Sequence, residues 1–376
     1  MGENTMTDRD ACIALNMISG IAYKRFNALR EHFHSIGEAA GKTAFQYRQV
    51  NLINSVVAEK LATSDWQELC DREKDLAERS GVEIITQLDR NYPQPLNDLD
   101  DPPLCLYVRG RLPEFPCRSL AVVGSRKMSR YGEKMTRAIT ADAVYAGYTI
   151  ISGLAYGVDT IAHRTTVECG GVTVAVLGGG LLDVQPQENV PLAQDIISRG
   201  GAVISEFPLE CRVSRMTFPR RNRIIAGLSR GTCVIEAGLK SGALISAKAT
   251  VDLGRDVFAV PGQATNEQAK GCHQLIRDGA VLTESFDDIA RVLDGGLQLG
   301  LFDGREQETS TSGSEVNDLP AELEQLLANI STSGSSIEEL TAASNMDPAQ
   351  LIANLMQLEF RFLVERGPDM LYYRRK

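Results

Sequence analysis

The chain has 376 residues, 43% of them hydrophobic, and a formal net charge of −10, a size that suits two or three domains with an ordinary core. No apolar run approaches the ~18 residues that a membrane span needs, and the opening MGENTMTDRD has neither the basic flank nor the apolar stretch of a secretory signal. The acidic balance excludes a protein that coats nucleic acid with its whole surface. It leaves room for a local basic site, because charges act within a Debye length of roughly 10 Å.

Residues 1–80 read as a helical domain: ACIALNMISGIAYKRFNALREHF places apolar residues at helical spacing, broken at Ser19 and Gly20. That break is similar to the phosphate turn of a helix-hairpin-helix, without its second glycine. A Pro-rich connector follows, NYPQPLNDLDDPPLCLYVRGRLPEFP. From 119 to 293 short apolar runs alternate with helical patterns. The runs are SLAVVG (119–124), YTIIS (148–152), VTVAVLG (172–178), GAVISE (201–206), TCVIEA (232–237), DVFAVPG (256–262) and AVLTE (280–284). Continuous apolar strands alternating with helices imply an α/β core with a mostly parallel sheet covered on both faces. The core domain is therefore drawn over 81–294. Residues 295–318 are rich in Gly, Ser and Thr and read as a flexible linker. In 319–376 three helical patterns precede a hairpin, the order of a winged helix.

Eight cysteines are scattered with none within four residues of another. Zinc-type pairs are thus absent, and reduced thiols in a cytoplasmic protein are expected. Ligands of parallel α/β sheets sit at the carboxyl ends of the strands. The first strand runs into Gly124-Ser125-Arg126-Lys127, the second into Ser152-Gly153-Leu154 at an expected helix start, and the fifth is followed by Lys240-Ser241-Gly242. Glycine makes tight strand-to-helix turns for structural reasons alone. Several such turns on one rim, each with bare helix-start amides, predict phosphate binding.

The densest cationic feature is RVSRMTFPRRNRIIAGLSR (212–230), with six arginines, among them Arg215, Arg220, Arg221 and Arg223, and with Phe218 and Asn222 embedded. No acidic residue occurs from 211 to 235. A run of this kind is often a solvated face. Here the embedded aromatic suggests a base stacked beside a tracked backbone. Some of these arginines have an alternative, pairing with Asp159 or Glu206 to shape the fold. Charge reversal at Arg126 or Arg221 is expected to abolish binding with the fold intact. Catalytic readings are poorly supported. Gly227-Leu228-Ser229-Arg230-Gly231 spells GxSxG but lies between a helix and a strand, not between a strand and a helix. No P-loop and no dinucleotide fingerprint is present, so no cofactor is expected. His32, His34, His163 and His273 lack metal spacing, and His163 reads as a structural histidine. The third helix of the tail, DPAQLIANLMQLEF, has no Lys or Arg, which favours a protein partner over a DNA groove.

VVGSRKMSRYG, ISGLAYGVDTIAH, AVLGGGLLDVQPQEN, ISEFP, FPRRNRIIAGLS, VIEAGLKSGALISA, VFAVPG and GCHQLIRDGA resemble, in order and spacing, the core of the DprA/Smf family of DNA-processing proteins. The resemblance covers about residues 119–293. It implies an extended Rossmann-like core flanked by an N-terminal SAM-like helical domain and a C-terminal winged helix. It also implies a cytoplasmic, non-catalytic homodimer that binds single-stranded DNA and loads RecA recombinase in natural transformation. Carried onto this chain, DNA phosphates would meet Gly124, Ser125 and Arg126, then Ser152, Gly153 and Leu154, and the Phe218–Arg223 run. Lys240, Ser241 and Gly242 would complete the pocket. Tyr156 departs from the basic residue often found there, and Thr217 from a more usual His or Asn. The competing reading is a nucleotide phosphoribohydrolase similar to the LOG family. Its PGGxGTxxE-type loop is missing here, since Gly231-Thr232 precedes a strand.

Overall fold

The computed structural model describes residues 6–115, 118–214 and 217–295, and within the tail 321–331, 334–344, 346, 350–351, 354–355, 358, 364–366 and 371–374. The chain forms two compact units, Met1–Leu301 and Phe302–Lys376. The first opens with five helices, α1 (Asp8–Met17), α2 (Tyr23–Phe33), α3 (Ala44–Tyr47), α4 (Ser55–Thr63) and α5 (Trp66–Arg79). Thr7, Thr43, Asn54 and Asp65 cap α1, α3, α4 and α5, each side chain accepting from a first-turn amide.

Two strands follow where the sequence suggested only a connector: β1 (Glu83–Thr86) and β2 (Cys105–Gly110). They pair antiparallel with each other, and β2 runs antiparallel to a strand of the main sheet. Strand–helix alternation then takes over: β3 (Ser119–Val123), α6 (Arg130–Tyr145), β4 (Thr149–Ser152), α7 (Val158–Glu168), β5 (Thr173–Val176), α8 (Val190–Ser198), β6 (Ala202–Ser205), α9 (Thr217–Leu228) and β7 (Gly231–Val234). The unit closes with α10 (Ala243–Asp252), β8 (Asp256–Ala259), α11 (Lys270–Arg277), β9 (Val281–Leu282) and α12 (Phe286–Leu293).

The nine strands make one sheet in the order β1-β2-β6-β5-β4-β3-β7-β8-β9. All pairings from β6 to β9 are parallel. Every residue of β3, β4, β5, β6 and β7 is buried, as required of central strands with helices on both faces. The mostly parallel α/β core expected from the sequence is present. All seven apolar runs of 119–284 hold its parallel strands.

The helical segment shares its core with the sheet. Ile13, Phe26, Leu61 and Trp66 pack in one apolar cluster with Leu104, Tyr107, Ala175 and Val203. Polar ties reinforce the join: Asn16 Nδ2 donates to the Glu206 carbonyl oxygen at 3.1 Å, and Arg9 Nε to Asp89 Oδ1 at 3.0 Å.

The second unit holds α13 (Ala321–Asn329), α14 (Ile337–Ser344) and a hairpin of β10 (Val364–Arg366) and β11 (Tyr372–Arg374). Leu326, Leu340, Leu351, Leu355, Leu358, Val364 and Tyr372 form its core. Leu351, Leu355 and Leu358 come from the segment read as the third helix, most of which lies outside the described residues. Residues 296–318 of the linker also lie outside them.

Candidate nucleic-acid interface

The strand order fixes where a ligand can sit. From β3 the chain crosses to β4, β5 and β6 on one side, then returns to place β7 on the other flank of β3. The loops leaving β3 and β7 therefore diverge and open a crevice at the switch point. A cavity of about 420 Å³ lies there, lined by Gly124, Ser125 and Arg126 after β3 and by Lys240, Ser241 and Gly242 after β7. Phe218, Pro219, Arg221 and Asn222 from the start of α9 close it.

Close packing holds these loops in place. The Ser125 amide donates to the Glu236 carbonyl oxygen at 2.7 Å, and the Val158 amide to the Ser125 carbonyl oxygen at 3.2 Å. A Cβ on Gly124 would lie 2.6 Å from Val158 Cγ2 and 3.0 Å from the Glu236 oxygen. Glycine is thus needed there for close approach of three segments. Asn222 Nδ2 donates to the Gly242 carbonyl oxygen at 3.1 Å, tying α9 to the head of α10.

The rim is cationic. Arg126 and Lys240 are exposed, and neither forms an ion pair with a described acidic residue. The Arg126 guanidinium lies over the Phe218 ring, 4.6 Å from its centroid, and that of Arg221 lies 5.9 Å away. Phe218 thus carries two cations on its ring, which corrects the expectation that it offers a free face to a base.

Two of the turns read as bare anion sites are filled by the protein's own carboxylates, one in the loop after β4 and one at the head of α6. Asp159 Oδ2 accepts from the amides of Gly153 at 3.2 Å and Ala155 at 3.3 Å. Glu236 accepts from the Ser129 amide at 2.7 Å and its hydroxyl at 2.6 Å, at the head of α6. The head of α10 differs. Its N-cap is the exposed Gly242, and no carboxylate fills it; the Ala243 amide donates to Ser241 Oγ at 3.3 Å and the Leu244 amide to the Ser241 carbonyl oxygen at 3.2 Å, so what this ten-residue helix offers the cavity beside Lys240 is its dipole.

Ser152, Gly153 and Leu154 are buried and precede α7 by several residues, so the helix start expected at them lies at Val158. Ser152 Oγ donates to the Val122 carbonyl oxygen at 2.6 Å. Leu154 has a positive φ of 56°. These three shape the floor from beneath and do not face the solvent.

The arginines of the run do not act together: Arg230 pairs with Asp294 at 3.0 Å, Arg212 is exposed, and the central ones divide further. Arg221 is 5% exposed. It donates through Nη1 to the Gly153 carbonyl oxygen at 2.5 Å and also to that of Val176. It is the cationic underside of the cavity. Burial lowers its pKa to about 10 despite the attraction of Asp159. Burial pushes the Asp159 carboxyl up, opposed by Arg221 and the two amides. Arg220 and Arg223 turn away to the buried carboxylate of Glu206, Arg220 at 3.1 Å. Arg220 also lies over the Phe207 ring, 5.1 Å from its centroid. Burial raises the Glu206 carboxyl and the two arginines oppose that shift. Arg215 lies outside the described residues.

The helix α9 explains this division. Residues 220 and 223, three apart, share one face of the helix and both reach Glu206, whereas 221 points about 100° away from 220 toward the cavity, so the contiguous run does not form one surface. Sequence reasoning named Asp159 only as a partner for an arginine, which its attraction to Arg221 bears out; it assigned no role to Glu236, and left Lys127 without one although it is exposed next to Arg126. His163 is buried, and its Nδ1 meets Thr173 Oγ1 at 2.7 Å. Among the described residues no group of three or more His, Cys, Asp or Glu side chains is placed to hold a metal ion.

The model of the family DNA recombination-mediator protein A matches residues 83–294, and that of the DprA winged helix domain matches 311–370. Protein Smf of Escherichia coli is 38% identical over 268 residues, covering 71% of either chain. Protein Smf of Synechocystis is 30% identical, with 96% of this chain and 98% of the relative covered. The crystal structure of DNA processing protein A from Streptococcus pneumoniae superposes with a TM-score of 0.64 at 32% identity, covering 76% of this chain and 99% of that one. DNA processing protein A from Helicobacter pylori, at 24% identity, TM-score 0.50 and 57% against 96% coverage, shares the fold. With its switch-point cavity, nine-stranded sheet and winged-helix tail, the chain belongs to the DNA recombination-mediator protein A family, the DprA/Smf proteins.

Proposed function

We propose that this protein binds single-stranded DNA by its backbone, in the cavity at the β3–β7 switch point, and breaks no bond in it. One observation carries the reading: two exposed cations without carboxylate partners, Arg126 and Lys240, share a cavity with the positive end of α10 over a buried guanidinium. That arrangement suits a phosphodiester, whose oxygens accept from guanidinium, ammonium and amide groups alike. A single strand can bend a phosphate into a recessed pocket, whereas the duplex backbone is held on a stiff cylinder. The DNA processing protein A of Helicobacter pylori has a described single-stranded DNA binding mode, and the shared fold supports transferring it.

Family membership supports the finer parts of the reading. In them the bound strand is protected and passed to RecA recombinase during transformation, by a cytoplasmic homodimer. A hydrolase of the LOG type has less support: Gly231 and Thr232 lie within β7 and open no helix. The test is a gel shift on oligonucleotides of one length. Single-stranded DNA is expected to bind intact and at least tenfold more tightly than duplex. Equal binding of duplex, or cleavage of the strand, would overturn the reading.

A further inference from the structure

Two loops that border the switch-point cavity run on past it. The loop after β3 places Ser125 and Arg126 in that cavity and, a few residues on, Ser129, Arg130 and Tyr131 in another. The loop after β8 does the same, with Gln268 in the first cavity and Pro261, Gln263 and Asn266 in the other. This second cavity, of about 620 Å³, therefore follows the first along both loops. The chain from 126 to 130 spans at most about 14 Å, which is about four nucleotides of strand at a rise of roughly 3.4 Å.

The cation of the second cavity stands apart from its neighbours. On α6, Arg137 pairs with Glu133 at 3.2 Å and with Glu168 at 3.3 Å. The exposed Arg130 meets no carboxylate among the described residues. Lys127, exposed on the loop between the two cavities, meets none among them either. The head of α6 itself offers little to an anion, because Glu236 already accepts from the Ser129 amide and hydroxyl. A phosphate here is held by the guanidinium fork, not by a helix start.

The aromatic wall is fixed in place. Tyr131 is 43% exposed, and its hydroxyl donates to the Pro261 carbonyl oxygen at 2.9 Å, which ties the two loops together at the cavity. Phe218 lies under two guanidinium groups, whereas none lies over Tyr131 among the described residues. The second loop is held from behind. His273 Nε2 lies 3.0 Å from the Gly262 carbonyl oxygen, and a Cβ on Gly262 would lie 2.7 Å from that of Ala269. A ring tethered at its far end offers a stacking face that is already ordered before a strand arrives.

We propose that a single strand leaving the switch-point cavity runs toward the β8 side of the sheet and is gripped there a second time. Arg130 takes a phosphate, the ring of Tyr131 takes a base, and Lys127 lies along the strand between the two cavities. This rests on the single-strand reading above and gives each core a footprint longer than one cavity. Gln263 and Asn266 carry donors and acceptors alike, so the second grip does not select among bases.

The test compares oligo-dT of about 4 and about 16 nucleotides, the limits of single-strand site sizes, by competition fluorescence anisotropy on the full-length protein. The short strand fills the first cavity alone, and the long one reaches both. Arg130→Ala and Tyr131→Ala should each weaken the long strand by roughly fivefold to a hundredfold and the short one by less than about twofold. Tyr131→Phe should keep most of the long-strand affinity. Arg130→Ala should also make the salt slope of the long strand shallower by about 0.7 and leave that of the short strand unchanged. Thermal midpoints check that each variant is folded. If both lengths lose affinity equally, these residues act only by shaping the first cavity, and the second grip is wrong. If neither length loses affinity, the strand leaves by another route, and the second grip is again wrong. In both cases the phosphate reading of the first cavity stands. If no single strand binds the wild type, both fall.

Discussion

Arg221 reaches from α9 to the Gly153 carbonyl oxygen at 2.5 Å, pinning the end of β4 to the helix that carries the arginine run. This contact separates folding from binding within the run, because a guanidinium that is 5% exposed holds the backbone before it holds any ligand.

Arg221→Ala is therefore expected to unfold the protein more readily, by about 3–5 kcal/mol, the range for removing one partner of a buried charge. Urea denaturation would measure it. Arg126→Ala should leave the urea midpoint unchanged and weaken single-strand binding by roughly tenfold to a hundredfold, the worth of one charge-assisted hydrogen bond. The sequence alone treats the two arginines as equivalent, and the structure does not.

Arg220 and Arg223 give a second contrast. Both serve Glu206. Arg220→Ala should change DNA affinity less than about threefold, since its guanidinium is turned to Glu206 and does not line the cavity. Arg223→Ala should cost stability instead, because it strips the main counter-charge from a carboxylate that is 4% exposed. Equilibrium binding and urea unfolding on the two variants separate these effects.

His163 predicts a pH dependence. Burial, with repulsion from Arg221, lowers its pKa from 6.5 to about 3. Thr173 Oγ1 donates to the Ile150 carbonyl oxygen at 2.7 Å, so His163 Nδ1 is the donor in its 2.7 Å contact with Thr173. The folded protein thus holds the ring neutral where the unfolded chain protonates it. The stabilisation is fully present above pH 6.5 and is lost as pH falls from there toward 3. Thermal midpoints should drop through that window, and His163→Gln should flatten the drop. An unchanged pH profile in that variant would count against the assignment.

Much of this was legible in the residues. Each apolar run from 119 to 284 became a parallel strand, since burial on both faces demands unbroken apolar character. Gly124 after β3 and the Lys240–Gly242 turn, singled out in the sequence, lie in the lining of one cavity. Strands β1 and β2 escaped notice because they pair antiparallel at one side of the sheet, outside the strand–helix alternation, with prolines between them. The occupation of the loop after β4 by Asp159 and of the α6 head by Glu236 was also hidden. Glu236 reaches Ser129 across 107 positions in the chain, and no local pattern announces such a contact. The capture of Arg220 and Arg223 by Glu206 is invisible for the same reason, although Glu206 was nameable as a partner.

The central claim is that exposed, unpaired cations at the switch point hold the phosphates of a single strand. It is tested most directly by measuring oligo-dT affinity against salt for the wild type and for Lys240→Ala. Each phosphate neutralised contributes about −0.7 to the slope of log K on log salt. The account predicts a steep wild-type slope that becomes shallower by about 0.7 in the variant. A flat wild-type profile, or a variant with an unaltered slope and affinity, would contradict it.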